Sequence, residues 1–141
     1  MGRKYASQKG ASAVEFALVL PLLVVITFGI IEFGMFVYNQ QVITNASREG
    51  ARAGIVASLP RVPPTGGNSI DSVVQNFCMN NMVTFGAANN PVTTVTGYSS
   101  NAAFGADLSV RVSYQYSFLV IPNFIPGISG NMAAVTVMRY E

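Results

Sequence analysis

Three observations predict an α+β, single-pass membrane protein in which one long N-terminal helix packs against a small antiparallel sheet. An apolar run near the N-terminus is long enough to span a bilayer. The C-terminal half alternates apolar and polar residues with the period of a half-buried strand. Only 10% of the 141 residues are charged and 50% are hydrophobic, whereas a soluble domain carries about 25% charged residues.

The composition also excludes several classes of function. The chain has no His and a single Cys, Cys78, which excludes an intrachain disulfide, Cys/His metal sites and His-dependent catalysis. Cys78 lies in an apolar run, where we expect a buried, unreactive thiol. The net charge of +2 and the dispersed arginines argue against binding to nucleic acid. We therefore predict no catalytic residues, no metal and no cofactor.

The N-terminal ten residues form a basic flank ahead of the apolar run. They contain Arg3, Lys4 and Lys9 and no acid, so the positive-inside rule predicts a cytoplasmic N-terminus and an extracytoplasmic C-terminal domain. The run over residues 16–37 has 22 residues. As a helix it would be about 33 Å long at ~1.5 Å per residue, enough to cross a hydrocarbon core of about 30 Å.

Composition divides the chain into four predicted segments. These are a basic leader at 1–10, a transmembrane and long N-terminal helix at 11–57, a Pro/Gly-rich linker at 58–68 and a small α+β domain at 69–141. Inside that domain, Ser69 is the expected N-cap of an amphipathic helix. The predicted elements there are a helix at 70–80, a loop at 86–90, strands at 91–98, 108–118 and 132–140, and a turn at 122–130. We expect the second half of the long helix to cover the apolar face of the sheet.

Small residues and one proline suggest how the long helix packs. Ala46, Gly50 and Gly54 lie at i, i+4 and i+8, a stripe on which another backbone can come close. Gly lowers the stability of a helix by about 1 kcal/mol relative to Ala, so two glycines on one stripe suggest that close packing requires them. The packing partner is either the protein's own sheet or another helix. Pro21 removes the hydrogen bond to the Ala17 carbonyl. It is either a harmless kink or a place where the helix bends during packing.

A single carboxylate, Glu15, directly precedes the apolar run. An ionised carboxylate there costs free energy unless a partner pairs with it. If a peptidase cut after Gly10, the new α-amino group on Ala11 would have a pKa of about 8 and would lie one helical turn from Glu15. In a stack of helices, Glu15 of one subunit would then pair with the Ala11 ammonium of the next. The alternative is a carboxylate stabilised only by its own helix dipole.

The residues around Glu15 resemble a known family. Gly10 followed by Glu15 and Phe16 is similar to the prepilin-peptidase site of type IV pilins, and residues 10–21 resemble the TadE-like minor pilins of tight-adherence (Tad) pilus systems. The resemblance is strong over about residues 9–54. Further matches in order are residues 31–34 (Ile-Glu-Phe-Gly), 45–54 (Asn-Ala-Ser-Arg-Glu-Gly-Ala-Arg-Ala-Gly) and 138–141 (Met-Arg-Tyr-Glu).

This resemblance implies a pilin-like architecture and a bacterial inner-membrane pseudopilin that a prepilin peptidase cleaves between Gly10 and Ala11. It implies other pilin or pseudopilin subunits and the Tad assembly machinery as partners. The implied role is to assemble or initiate a surface pilus for adherence and biofilm formation, without catalytic activity. Phe16 replaces the Tyr of the major Tad pilin, which favours a TadE-like or TadF-like minor component.

A second carboxylate, Glu32, lies inside the apolar run, directly after the uncharged residues 16–31. Together with Glu15 and Phe16 it is a predicted subunit-assembly residue, through an intersubunit contact or docking to the assembly machinery. The alternative places Glu32 at the far membrane interface, where Phe33, Phe36 and Tyr38 would form an aromatic belt.

Two other functions compete with the pilin hypothesis. The first is a membrane-tethered extracytoplasmic binding module that is never processed or assembled. The second is an enzyme, which the sequence supports poorly. Apart from the N-terminal region and Glu141, the acids are Glu49, Asp71 and Asp107, and no close pair among them is suited to acid/base catalysis.

Overall fold

The structure, a computed structural model, describes residues 4–56, 61–85, 90–118 and 130–140, with side chains from residue 10 onward. It confirms the α+β class, with one long N-terminal helix and a small antiparallel sheet. The predicted loop at 86–90 and turn at 122–130 lie almost entirely outside the described residues. The elements are α1 (Lys4–Ile55), α2 (Ile70–Asn81), β1 (Val92–Thr96), β2 (Asp107–Tyr116) and β3 (Gly130–Arg139).

Helix α1 is 52 residues long and begins earlier than the predicted start at residue 11. Its first residues include Lys4, Ala6, Gln8 and Lys9, all of them good helix formers. Extending an existing helix needs no new nucleus, so the helix continues into the basic flank. At its other end α1 stops at Ile55, close to the predicted end.

The three strands form an antiparallel sheet in the order β1-β2-β3. In the centre of the sheet, Val110 of β2 is paired with Val95 of β1 and with Thr136 of β3. The alternation predicted for β2 is confirmed, because its even-numbered residues are buried and its odd-numbered ones are exposed or half-buried. One face of the sheet therefore belongs to the core and the other faces outward.

The second half of α1 covers the apolar face of the sheet, as predicted, and α2 packs beside it. Gln40 Nε2 of α1 donates to the Ala133 carbonyl at 3.0 Å. Further along, the hydroxyls of Ser47 and Thr136 are 2.7 Å apart. Since both residue numbers rise together, α1 runs in the same direction as β3. The end of the sheet at Tyr116 and Gly130 thus lies nearest the apolar half of α1.

Two local predictions for α2 are also confirmed. Ser69 caps the helix, because its Oγ accepts from the Ser72 amide at 3.1 Å while Ser72 Oγ accepts from the Ser69 amide at 2.9 Å. This reciprocal capping box satisfies two amides that the first turn leaves without helical partners. Cys78 is completely buried in the core between the helices and the sheet.

Candidate assembly surface

The N-terminal part of α1 is largely uncovered by the folded domain. We call residues 10–31 of α1 the bare helix segment; every residue in it is exposed except Val25 and Gly29, which are half-buried. Exposure reaches 64% at Phe16 and 74% at Leu18. Among the described residues, α1 is the one helix long and apolar enough to cross a membrane. An apolar surface of this size is stable in lipid or against other apolar helices.

The predicted processing and assembly residues lie at the start of the bare helix segment. Gly10, Ala11, Glu15 and Phe16 are all exposed on one uninterrupted helix. Ala11 and Glu15 are four residues apart, so they are one turn and about 6 Å apart along the helix axis. The geometry keeps the Glu15 carboxylate and Ala11 close together, and both residues are exposed.

Pro21 lies in the middle of this segment, yet α1 continues through it. One turn and a half later, Thr27 Oγ1 donates to the Leu23 carbonyl at 2.8 Å. That bond satisfies the hydroxyl within the helix, so Thr27 can face an apolar surrounding at low cost. The helix-packing role of Pro21 stays a prediction.

Glu32 marks the place where the folded domain begins to cover α1. Its side chain is only 3% exposed, although its neighbours Ile31 and Phe33 are 46% and 63% exposed. Glu32 also lies near Tyr116 of β2. Burial raises the pKa of the Tyr116 hydroxyl above its usual value, and the negative charges of Glu32 and then of Tyr114 add to that effect. The protein's own fold thus covers Glu32, and its predicted subunit contact stays a prediction.

Next to Glu32, three aromatic rings join the helix to the sheet. The Phe36 ring lies 5.8 Å from the Tyr116 ring and 5.6 Å from the Phe118 ring, and the two latter rings are 5.1 Å apart. A Cβ added at Gly130 would be 3.0 Å from Phe36 and from Phe118, so glycine allows this close approach. We call Phe36, Tyr116, Phe118 and Gly130 the junction cluster. Phe36 therefore does not join Phe33 and Tyr38 in an outward aromatic belt.

The stripe of small residues packs inside the protein. Ala46 is fully buried. A Cβ added at Gly50 would be 2.6 Å from Val74 Cγ2, and one at Gly54 would be 2.5 Å from Leu108 Cδ2. The sequence left two packing partners open for this stripe, the protein's own sheet or another helix. In the structure the stripe packs against the protein's own sheet and α2.

Sequence reasoning missed a buried amide that ties α1 to the end of α2. Asn39 is fully buried; its Nδ2 donates to the Val83 carbonyl at 2.7 Å and its Oδ1 accepts from the Val83 amide at 2.9 Å. Asn39 precedes the buried residues Ile43 and Ala46 at helical spacing. A polar residue on an otherwise apolar stripe was the signal available in the sequence.

Three charged residues of the folded domain, Asp107, Arg139 and Arg61, have side-chain contacts. Arg139 Nε donates to Asp107 Oδ1 at 3.1 Å, with both side chains more than half exposed. The Arg61 guanidinium lies 4.5 Å above the Tyr140 ring. Within the described ranges, no three residues of the types His, Cys, Asp and Glu are grouped so that they could hold a metal ion.

A comparison with known protein families gives a match that includes the bare helix segment. A family model described as TadE-like protein matches residues 10–52, about a third of the chain, from Gly10 to the buried half of α1. Comparisons with curated proteins and with solved structures gave no match. Residues 10–52 of this chain are therefore similar to the TadE-like protein family.

Proposed function

We propose that this protein is a minor pilin or pseudopilin that takes part in assembling or initiating a Tad-type adherence pilus. A prepilin peptidase cleaves it after Gly10 at the inner membrane, and the folded domain lies on the extracytoplasmic side. The observation that carries the proposal is the bare helix segment, with Glu15 exposed one turn from Ala11. The TadE-like match over residues 10–52 supports the same conclusion.

The distribution of burial along α1 supports association through the bare helix segment. From Glu32 onward, buried residues recur at helical spacing, because the sheet and α2 pack there. Before Glu32, the described part of the domain leaves every residue of the bare helix segment exposed except Val25 and Gly29, which are half-buried. Apolar helices of several subunits can therefore pack side by side along residues 10–31 while their domains remain outside the bundle.

Within such a bundle, Glu15 supplies the specific contact. A carboxylate among apolar helices has lost water, and that loss is costly unless an opposite charge is close. Cleavage after Gly10 creates that charge on Ala11. The Ala11 ammonium of one subunit then pairs with the Glu15 carboxylate of its neighbour, so neither charge is left unpaired. This ion pair also fixes the axial register of the two helices.

The helical state of Gly10 has a consequence for processing. Gly10 lies inside α1 and is exposed, and a peptidase needs an unwound peptide in its active site. Glycine disfavours a helix by about 1 kcal/mol relative to alanine, so the helix opens more readily at Gly10 than at an alanine. This supports Gly10 as the residue before the cut.

The test compares a Glu15→Ala variant with a matched Val14→Ala variant in the native host. Val14 is 62% exposed on the adjacent position of the same helix. We expect both variants to be cleaved after Gly10 and to reach the membrane in normal amounts. Glu15→Ala alone should impair pilus formation, scored by electron microscopy and by the pilus fraction sheared from cells.

Partial recovery in a Glu15→Asp variant would support charge pairing, since aspartate keeps the carboxylate. Normal pili in Glu15→Ala would reduce Glu15 to a residue of the membrane interface. A full-length, uncleaved wild-type chain would instead support a membrane-tethered binding module.

A further inference from the structure

The depth of α1 in a membrane follows from the length of its apolar surface. The uncharged residues 16–31 give a helix of only about 24 Å at ~1.5 Å per residue, short of a hydrocarbon core of about 30 Å. Beyond Glu32, however, Phe33 and Val37 are 63% and 43% exposed. On this face the apolar surface extends to Val37 and reaches the required length. The turns around residues 33–37 therefore lie at the edge of the hydrocarbon.

The sheet packs on the adjacent face of the same turns. Phe36 lies between Phe33 and Val37 in the chain and stacks on Phe118 with 5.6 Å between ring centroids. It also meets the Tyr116 ring edge to face at 5.8 Å. The end of the sheet that holds the junction cluster is thus at the same depth as the last lipid-facing residues of α1.

We propose that the junction-cluster end of the sheet rests in the membrane interface and that its partner is lipid, at the boundary between headgroups and acyl chains. The inference rests on the proposed function, because it requires α1 to span the membrane. The surface is continuous with the lipid-facing side of α1 at Phe33 and Val37. Within the cluster Tyr116 is only 2% exposed, but Phe118 is half-buried and Ser117 beside it is exposed. Lipid therefore meets this end of the sheet at Phe118 and Ser117, and an aromatic ring is favourable at this depth.

The distribution of charge along the sheet agrees with this orientation. Near the junction cluster, residues 112–118 and their partners 130–134 contain no charged side chain. The charges of the sheet are on Asp107, Arg111 and Arg139. Asp107 and Arg139 are at the far end, about 30 Å from Tyr116 at ~3.3 Å per residue.

The test uses tryptophan as a reporter, because the chain contains no Trp. Phe118→Trp reports on the proposed interface. Its matched control is Phe104→Trp, at a residue that is 87% exposed in the connection that leads into the far end of β2. Phe28→Trp, in the bare helix segment, reports on the membrane span itself. Each full-length variant is reconstituted in phosphatidylcholine vesicles with lipids brominated either near the headgroup or near the chain end.

We expect lipids brominated near the headgroup to reduce Phe118→Trp emission by about half, with a blue-shifted maximum relative to Phe104→Trp. Phe104→Trp should be unaffected by either lipid. Phe28→Trp should be quenched most by lipids brominated near the chain end. Quenching of Phe28→Trp without quenching of Phe118→Trp would overturn the inference and leave the membrane span intact. Absence of quenching in Phe28→Trp would show that α1 does not span the membrane, and this result would contradict the proposed function as well.

A second reporter pair avoids disturbing the aromatic packing. Ser117 is exposed beside the junction cluster, and Ser100 is exposed in the connection between β1 and β2. If Phe118→Trp does not fold, Ser117→Trp and Ser100→Trp replace the first pair. Quenching of Ser117→Trp alone supports the inference, and equal emission of the two variants in all vesicles contradicts it.

Discussion

Gly50 of α1 lies against Val74 of α2 so closely that a Cβ at position 50 would be 2.6 Å from the Val74 Cγ2. Val74 is fully buried and β-branched, so its side chain has few alternative rotamers. The two helices reach this distance because residue 50 has no side chain. Gly50 thus helps to tie α1 to the folded domain, which places the domain at a defined distance from the bare helix segment.

A Gly50→Ala substitution should destabilise the folded domain. Alanine gains about 1 kcal/mol of helix propensity, but overpacking a close contact costs about 1–3 kcal/mol. We expect a net loss of about 1 kcal/mol in the free energy of unfolding, measured by urea denaturation in detergent. Gly34→Ala is the control, because a Cβ there meets nothing within 4 Å. Equal stability of the two variants would show that the Gly50 contact is not tight.

Removing the Asn39 amide should also destabilise the domain. Asn39→Ala leaves the Val83 amide and carbonyl without their present partners, and each buried unsatisfied group costs about 1–3 kcal/mol. We expect a loss of about 2 kcal/mol or more in the same denaturation experiment. The exposed neighbour Gln41 provides the control, since Gln41→Ala should change little. Similar curves for both variants would contradict the role of the Asn39 bonds.

The Cys78 thiol should be unreactive in the folded protein. Burial raises the pKa of Cys78 from 9.0 to about 11, so the reactive thiolate is rare at pH 8. Iodoacetamide should label Cys78 in urea but not in the native state. The unfolded state loses this proton first as the pH rises, so the contribution of Cys78 to stability is complete below pH 9 and declines toward pH 11.

A Cys78→Ala variant should lack this part of the pH dependence. Its free energy of unfolding should fall less than that of the wild type as the pH rises from about 8.5, below the usual pKa of 9.0, to about 10.5, close to the raised pKa of about 11. Rapid labelling of the native wild type, or parallel pH curves for both proteins, would contradict the burial of the thiol.

Periodic features of the chain were predictable from sequence, and contacts between distant residues were not. The alternation in β2 and the cap at Ser69 arise from neighbouring residues, so their patterns appear directly in the sequence. Glu32 is buried and lies near Tyr116, which is far along the chain in β2, and no local pattern reports this burial. The Asn39 bonds have the same origin, because their partner is the backbone of Val83, 44 residues away. The start of α1 at Lys4 was missed because an extension of a helix needs no separate start signal.

The position of the mature N-terminus tests the central claim most directly. The claim is that Gly10 marks the cut and that the Ala11 ammonium then becomes available to Glu15 of a neighbouring subunit. Mass spectrometry of the N-terminal peptide, with protein purified from membranes of the native host, measures this position. The account predicts a chain that begins at Ala11. A chain that retains Met1 to Gly10 would contradict it.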